Sequence, residues 1–328
     1  MARQLADDAF ATDAGTEETR RRYGIKRAFW NEGGPAMASR VDDTVPGPAG
    51  DVRIRLFTPP SAVGEDRRPS LVYLHGGGFV VGNLDTHDRI MRSLAAKTGA
   101  VVVGVDYALA PEAKFPRALE ECAAVASWLQ RRADALGLDE GRISFAGDSS
   151  GANLSLATAL FLRDTVSDWP GAQCLLLYYG LFGLTDSASR RLYGGSWDGL
   201  ARADLEYYMA AYTRGPDDLS SPYLDCLSAD LAGAVPPCFI AACSLDPLRD
   251  DSVALAAALA ERGVNHQLVM FDRVLHGFLH YSRELPEAMD ALDAGAAFYR
   301  SVVEAAPPPS GAARRDCQDT KHDSQEAG

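Results

Sequence analysis

Two adjacent serines, Ser149 and Ser150, stand between glycines in Gly147-Asp148-Ser149-Ser150-Gly151. The pattern G-x-S-x-G centres on Ser149; centring on Ser150 would need glycines where Asp148 and Ala152 stand. A strand that turns sharply into a helix holds a serine in a strained backbone conformation, and bulky neighbours would clash there. Five residues alone fit an ordinary strand-to-helix turn equally well, so the chemistry depends on partners elsewhere.

A serine becomes a nucleophile when a base takes its proton and a carboxylate orients that base. Six histidines are available. His322 lies in the C-terminal tail, His75 in a glycine loop, His87 ahead of the serine and His266 on a predicted strand. That leaves His276 and His280 in V-L-H-G-F-L-H. His276 follows the last strand's loop and precedes Gly277, so its ring can reach a cleft, whereas His280 is expected on one face of the next helix. The candidate acid is Asp246 in S-L-D-P-L, at the C-terminal end of a predicted strand, where α/β folds place catalytic groups. Asp250 and Asp251 fall at a helix start, where the dipole favours carboxylates without any catalytic role.

A third signal is His75-Gly76-Gly77-Gly78-Phe79, directly after the apolar run L-V-Y-L. Three successive glycines let backbone N–H groups face open space, where they can meet a developing oxyanion. A dinucleotide loop does not fit, because G-x-G-x-x-G from Gly76 would need glycine at Val81, and no G-K-[ST] follows. The chain order Ser149, Asp246, His276, with a glycine loop upstream, is that of α/β-hydrolases.

The elements needed to position these residues are legible as an alternation. Residues 52–57 alternate apolar and charged types, as a half-exposed strand does. Short apolar runs at 70–74, 101–105, 142–146, 174–178, 238–242 and 266–271 predict strands buried on both faces. Helical periodicity predicts helices at 89–97, 118–136, 153–163, 250–262 and 286–303. The expected fold is therefore α/β, a mostly parallel sheet with helices on both faces. Residues 1–45, charged and helical in character, and 181–231, rich in aromatics, Gly and Asp, are expected to form a cap over a catalytic domain spanning 46–304. Residues 305–328 read as a disordered tail.

Composition narrows the class. The chain has 328 residues and a formal net charge of -13, with no basic stripe, which argues against nucleic-acid binding. Neither an apolar span of membrane length nor an N-terminal signal is visible. The six cysteines form no C-x-x-C pair and are expected as buried thiols, which fits a reducing cytoplasm.

With these motifs in place, the chain resembles the hormone-sensitive-lipase-like family of α/β-hydrolase esterases. The resemblance rests on H-G-G-G-F at 75–79, G-D-S-S-G at 147–151, D-Y-A-L-A-P-E at 106–112, D-P-L at 246–248 and H-G-F at 276–278. A closer similarity to bacterial acetyl esterases rests on F-W-N at 29–31, G-N-L-D-T-H-D-R at 82–89, G-G-S-W-D-G-L at 194–200 and F-L-H-Y-S at 278–282. The resemblance covers about residues 20–304. It implies a serine carboxylesterase of short-chain, acetyl-type esters, with Ser149, Asp246 and His276 as the triad and no metal or organic cofactor. It also implies Gly77, Gly78 and Ser150 N–H groups as the oxyanion hole, supported by His75 and Gly76. Ser150 departs from the family's usual Ala and Ala152 from a frequent Gly. Cleavage of an amide, a lactone or another metabolite's acetyl group would use the same machinery. A non-catalytic binder of this fold lacks the base, which here is present. Asp148 is expected to have a structural role, Tyr107 to pack, and Phe182, Tyr193, Trp197, Tyr207 and Tyr208 to be core aromatics that could shape an acyl pocket.

Overall fold

The computed structural model describes residues 15–62, 67–195 and 200–303. Trp197, the 305–328 tail and residues 1–14 lie outside the described residues.

Helix α1 (Thr16–Asn31) is followed by the hairpin β1 (Ser39–Gly47) and β2 (Gly50–Thr58), then β3 (Arg68–Leu74). Next come α2 (Asp88–Thr98), β4 (Val101–Asp106), α3 (Arg117–Leu136), β5 (Leu138–Asp148) and α4 (Ser150–Thr165). After β6 (Leu175–Tyr178), the short helices α5 (Ala188–Leu192), α6 (Arg202–Tyr212) and α7 (Pro216–Leu219) interrupt the alternation. It resumes with β7 (Cys238–Leu245), α8 (Arg249–Glu261), β8 (His266–Leu275) and α9 (Pro286–Val303).

The eight strands form one sheet in the order β1-β2-β4-β3-β5-β6-β7-β8. The first two pairings, β1–β2 and β2–β4, are antiparallel, and every pairing from β4 through β8 is parallel. Helices α2 and α9 cover one face, and α3, α4 and α8 the other, each burying an apolar stripe. The central strand β4, V-V-V-G-V-D, has both faces buried apart from its last residue, as a parallel strand between helix layers requires.

Two expectations need correction. The first forty-odd residues are not all helical, because 39–47 form the edge strand β1. All but Val45 and Gly47 of that strand are exposed, so it lacks the apolar run that marks a buried strand. Strand β8 is the opposite edge and is mostly exposed or half-buried rather than buried on both faces.

The chain leaves β3 toward β4 on one side of the sheet, and β5 then pairs with β3 on the other. This is a topological switch, and the crevice beyond the strands' carboxyl ends opens there. The glycine loop follows β3 and Ser149 follows β5, with Leu74 opposite Gly147 in register. Five cysteines, Cys122, Cys174, Cys226, Cys238 and Cys243, are buried free thiols. No helix among the described residues is long and apolar enough to cross a membrane.

Phe239 on β7 is fully buried between Tyr178 and Phe298, where β6, β7 and α9 meet. Phe239→Ala is expected to cost about 3–5 kcal/mol through lost burial and a residual cavity. The midpoint of urea unfolding measures it.

Candidate active site

Ser149 sits between β5 and α4 at φ 54° and ψ -121°, a conformation that L-residues avoid. Its N–H donates to the Tyr178 carbonyl at 2.9 Å, which ties the turn to the end of β6. The flanking glycines are required by close approach. A Cβ on Gly147 would lie 2.3 Å from the Gly151 carbonyl oxygen, and one on Gly151 would lie 2.0 Å from the Leu74 carbonyl oxygen. Neither position has room for a side chain.

The three sequence candidates come together. The Ser149 hydroxyl lies 2.9 Å from His276 Nε2, and His276 Nδ1 lies 2.8 Å from Asp246 Oδ2. The other Asp246 oxygen accepts the Leu248 N–H at 2.7 Å, so the carboxylate is held from both sides. Asp246 is fully buried and His276 nearly so. The imidazole is thus oriented with its Nδ1–H on the carboxylate and its Nε2 lone pair toward the serine. Asp250 and Asp251 point elsewhere. Asp250 accepts the Ser189 N–H at 2.8 Å, and Asp251 accepts those of Phe182, Gly183 and Leu184 while pairing with Arg190. They anchor the segment after β6, a tertiary role beyond the helix-start preference.

The glycine loop curls beside the serine. Gly77 and Gly78 have φ of 125° and 59°, and the Val80 and Val81 N–H groups turn back onto the Gly77 carbonyl at 3.0 Å. Among the described residues, the N–H groups of Gly77, Gly78 and Ser150 have no protein acceptor. The Ser150 hydroxyl accepts the Phe79 N–H at 3.3 Å, so the extra oxygen ties the loop to the start of α4.

Beneath the loop lies a buried polar layer. Asp148 Oδ1 accepts the Tyr73 hydroxyl at 2.7 Å and the Gly76 N–H at 3.0 Å. Tyr107 is more than a packing aromatic: its hydroxyl donates to the His75 carbonyl at 2.6 Å and its ring stacks on His75. Burial opposes ionisation of Asp148, but His87, His280 and Tyr73 outweigh it and hold its pKa below the ordinary carboxylate range. Burial, with His87 nearby, lowers the His75 pKa to about 3, so that ring is neutral. His280 lies in the helical turn Phe278–Tyr281 rather than on the next helix, and burial, followed by Arg27, keeps its pKa well below the usual imidazole value.

Around Ser149 and His276 is a cavity of about 30 Å³, walled by Leu181, Leu200, Leu205, Tyr208, Met209 and Leu248. Of the aromatics singled out in the sequence, Tyr208 lines this cavity, and its ring occupies the space where a Gly78 side chain would stand. Tyr207 packs on Tyr208, Phe182 is core, and Tyr193 lines a second, larger cavity. Sequence reasoning missed Tyr23, which reaches the cavity from α1, and Tyr179, whose ring packs edge-on against His276. Nothing local marks either residue; only chain packing brings them there.

Residues 71–280 match the alpha/beta hydrolase fold family. An acetyl esterase of Salmonella paratyphi B is 48% identical over 292 residues, 89% of each chain. A hyperthermophilic esterase from the archaeon Pyrobaculum calidifontis superposes with a TM-score of 0.84 at 36% identity, covering 92% of this chain and 96% of that one. A thermostable carboxylesterase from a metagenomic library gives a TM-score of 0.85 at 31% identity, covering 89% and 99%. The chain belongs to the α/β-hydrolase family.

Two outcomes test the site's construction. Gly151→Ala forces a Cβ into the Leu74 carbonyl. It is expected to destabilise by about 4 kcal/mol or more, as strain at a special backbone position does; thermal melting reads it. His75 is neutral when folded and has an ordinary pKa near 6.5 when unfolded. The unfolded chain therefore takes up a proton first, and stability is lost as pH falls below about 6.5, by on the order of 1 kcal/mol per pH unit. Urea midpoints at pH 7.5 and 5 measure the slope, which His75→Asn should flatten.

Proposed function

We propose that this carboxylic ester hydrolase cleaves short-chain acyl esters, acetyl esters foremost, through an acyl-enzyme formed on Ser149. The observation that carries the reading is the continuous path from Ser149 Oγ through His276 to Asp246, at 2.9 and 2.8 Å, opening into a cavity of only about 30 Å³. Such a space admits an acyl group of few heavy atoms. The related acetyl esterase supports the same substrate class.

In this mechanism neutral His276 takes the Ser149 proton as Oγ bonds to the ester carbonyl carbon. The carbonyl oxygen becomes an oxyanion and receives hydrogen bonds from the Gly77, Gly78 and Ser150 N–H groups. Asp246 holds the tautomer and stabilises the imidazolium without taking its proton. The tetrahedral adduct collapses, the C–O bond to the alcohol breaks, and His276 hands that alcohol its proton. Water then repeats the sequence on the acyl-enzyme, releasing the acid and restoring Ser149. His75 and Gly76 support the loop that carries the donors. α1 and the 181–231 segment act as the cap that bounds the acyl site, over a catalytic domain of 46–304. The proposal includes a cytoplasmic location, which the free thiols support.

The test is hydrolysis of p-nitrophenyl esters from acetate to decanoate. Turnover should peak at the shortest acyl groups and fall steeply beyond about six carbons. Ser149→Ala should lower kcat on the order of 10⁶-fold and Asp246→Asn about 10⁴-fold. Near-normal turnover by folded Ser149→Ala would refute the assignment.

A further inference from the structure

Behind the nucleophile stands a set of side chains that ester hydrolysis leaves unused. His87 lies in G-N-L-D-T-H-D-R and His280 in F-L-H-Y-S, two of the stretches on which the resemblance to acetyl esterases rests. In the fold they converge on Asp148. His87 Nε2 is 3.4 Å from Asp148 Oδ1, and His280 Nε2 is 4.0 Å from Asp148 Oδ2. One ligand-type atom from each of the three lies within 4.8 Å of the others.

Two observations single out this cluster. First, Asp148 is buried, and among the described residues the only basic side chains within 4.0 Å of it are these two imidazoles. Second, His87 is fully buried and its Nε2 makes no hydrogen bond of acceptable geometry. Thr86 Oγ1 donates to the Asn83 carbonyl at 2.9 Å and lies 2.9 Å from His87 Nδ1, so the ring's other nitrogen has a partner. Nε2 alone is left facing Asp148 in a buried pocket, and a buried polar atom without a partner calls for one.

We propose that His87, Asp148 and His280 bind a first-row divalent cation of the Zn²⁺ type. Imidazole nitrogen and carboxylate oxygen are the donors such ions favour, and four-coordinate Zn²⁺ places its ligand atoms about 3.3 Å apart. The 3.4 Å pair already matches, and the three atoms, which lie within 4.8 Å of one another, must close by no more than about 1.5 Å. The outer shell is also present. Thr86 orients the His87 ring, and Tyr73 and Gly76 orient the carboxylate, as partners of metal ligands do. Tyr23 Oη, 3.2 Å from His280 Nε2, shares with it a hydrogen bond that the cation would replace. Tyr23, Asp148 and His280 also line the catalytic cavity, which supplies the route of entry.

Chelator-treated enzyme titrated with Co²⁺ should develop visible d–d absorption of four-coordinate intensity, saturating at one ion per chain and displaced by Zn²⁺. Saturating Zn²⁺ should raise the melting temperature by about 5 °C or more. His87→Gln and His280→Gln, each checked for folding by circular dichroism, should lose both responses, while His276→Gln keeps them. Crystals of wild type soaked in zinc chloride should show an anomalous peak between the three side chains, a readout that needs no variant. The proposal is overturned by an absent peak, by a peak only at His276 or the surface, or by Co²⁺ binding that survives in folded His87→Gln.

Discussion

The contact between the carboxyl ends of β3 and β5 is the constraint on which the site depends. Gly147 and Gly151 let the Ser149 turn pass within backbone contact of Leu74 and His75. Because they do, Ser149 and the glycine loop are fixed side by side at the sheet's switch point. The strain at Ser149 is held by the Tyr178 carbonyl and by the helix that starts at Ser150. Local strain of this kind costs on the order of 1–3 kcal/mol and persists only where the surroundings over-determine it.

Those surroundings are the two cores and the polar layer between them and the loop. Asp148 ties Gly76 and Tyr73 together, Tyr107 ties His75, and Ser150 ties Phe79, so both ends of the glycine loop have fixed partners. This layer is distinct from the proposed triad, although it too contains a carboxylate and histidines. Distance separates the two sets. The triad's histidine makes bonds at 2.9 and 2.8 Å to Ser149 and Asp246, whereas His87 and His280 stand 3.4 and 4.0 Å from Asp148.

The segments outside the alternating core set the size of the cavity at Ser149. α1 contributes Tyr23, and the region after β6 contributes Leu200, Leu205, Tyr208 and Met209. Arg190 and the neighbouring 182–184 backbone are drawn onto Asp251, which fastens that region to the start of α8. A larger cavity of about 830 Å³ adjoins the small one, sharing Leu181, Leu205 and Met209. These segments therefore bound a tight space at the serine and a roomy one beyond it.

Much of this was legible from residue order because the decisive features are local in the chain. A G-x-S-x-G turn, a glycine run after an apolar strand, and an aspartate and a histidine each just past a strand end encode backbone geometry within a few residues. The parallel strands were legible for the same reason, since burial on both faces demands unbroken apolar runs. Edge strands β1 and β8 were missed or misread because exposure removes that demand. Tertiary structure alone decided that Tyr23 reaches the cavity, that Tyr107 is a donor, and that His87, Asp148 and His280 meet. Those residues are separated by tens to more than a hundred positions, and their proximity follows from how helices and strand ends pack, a property no local pattern carries.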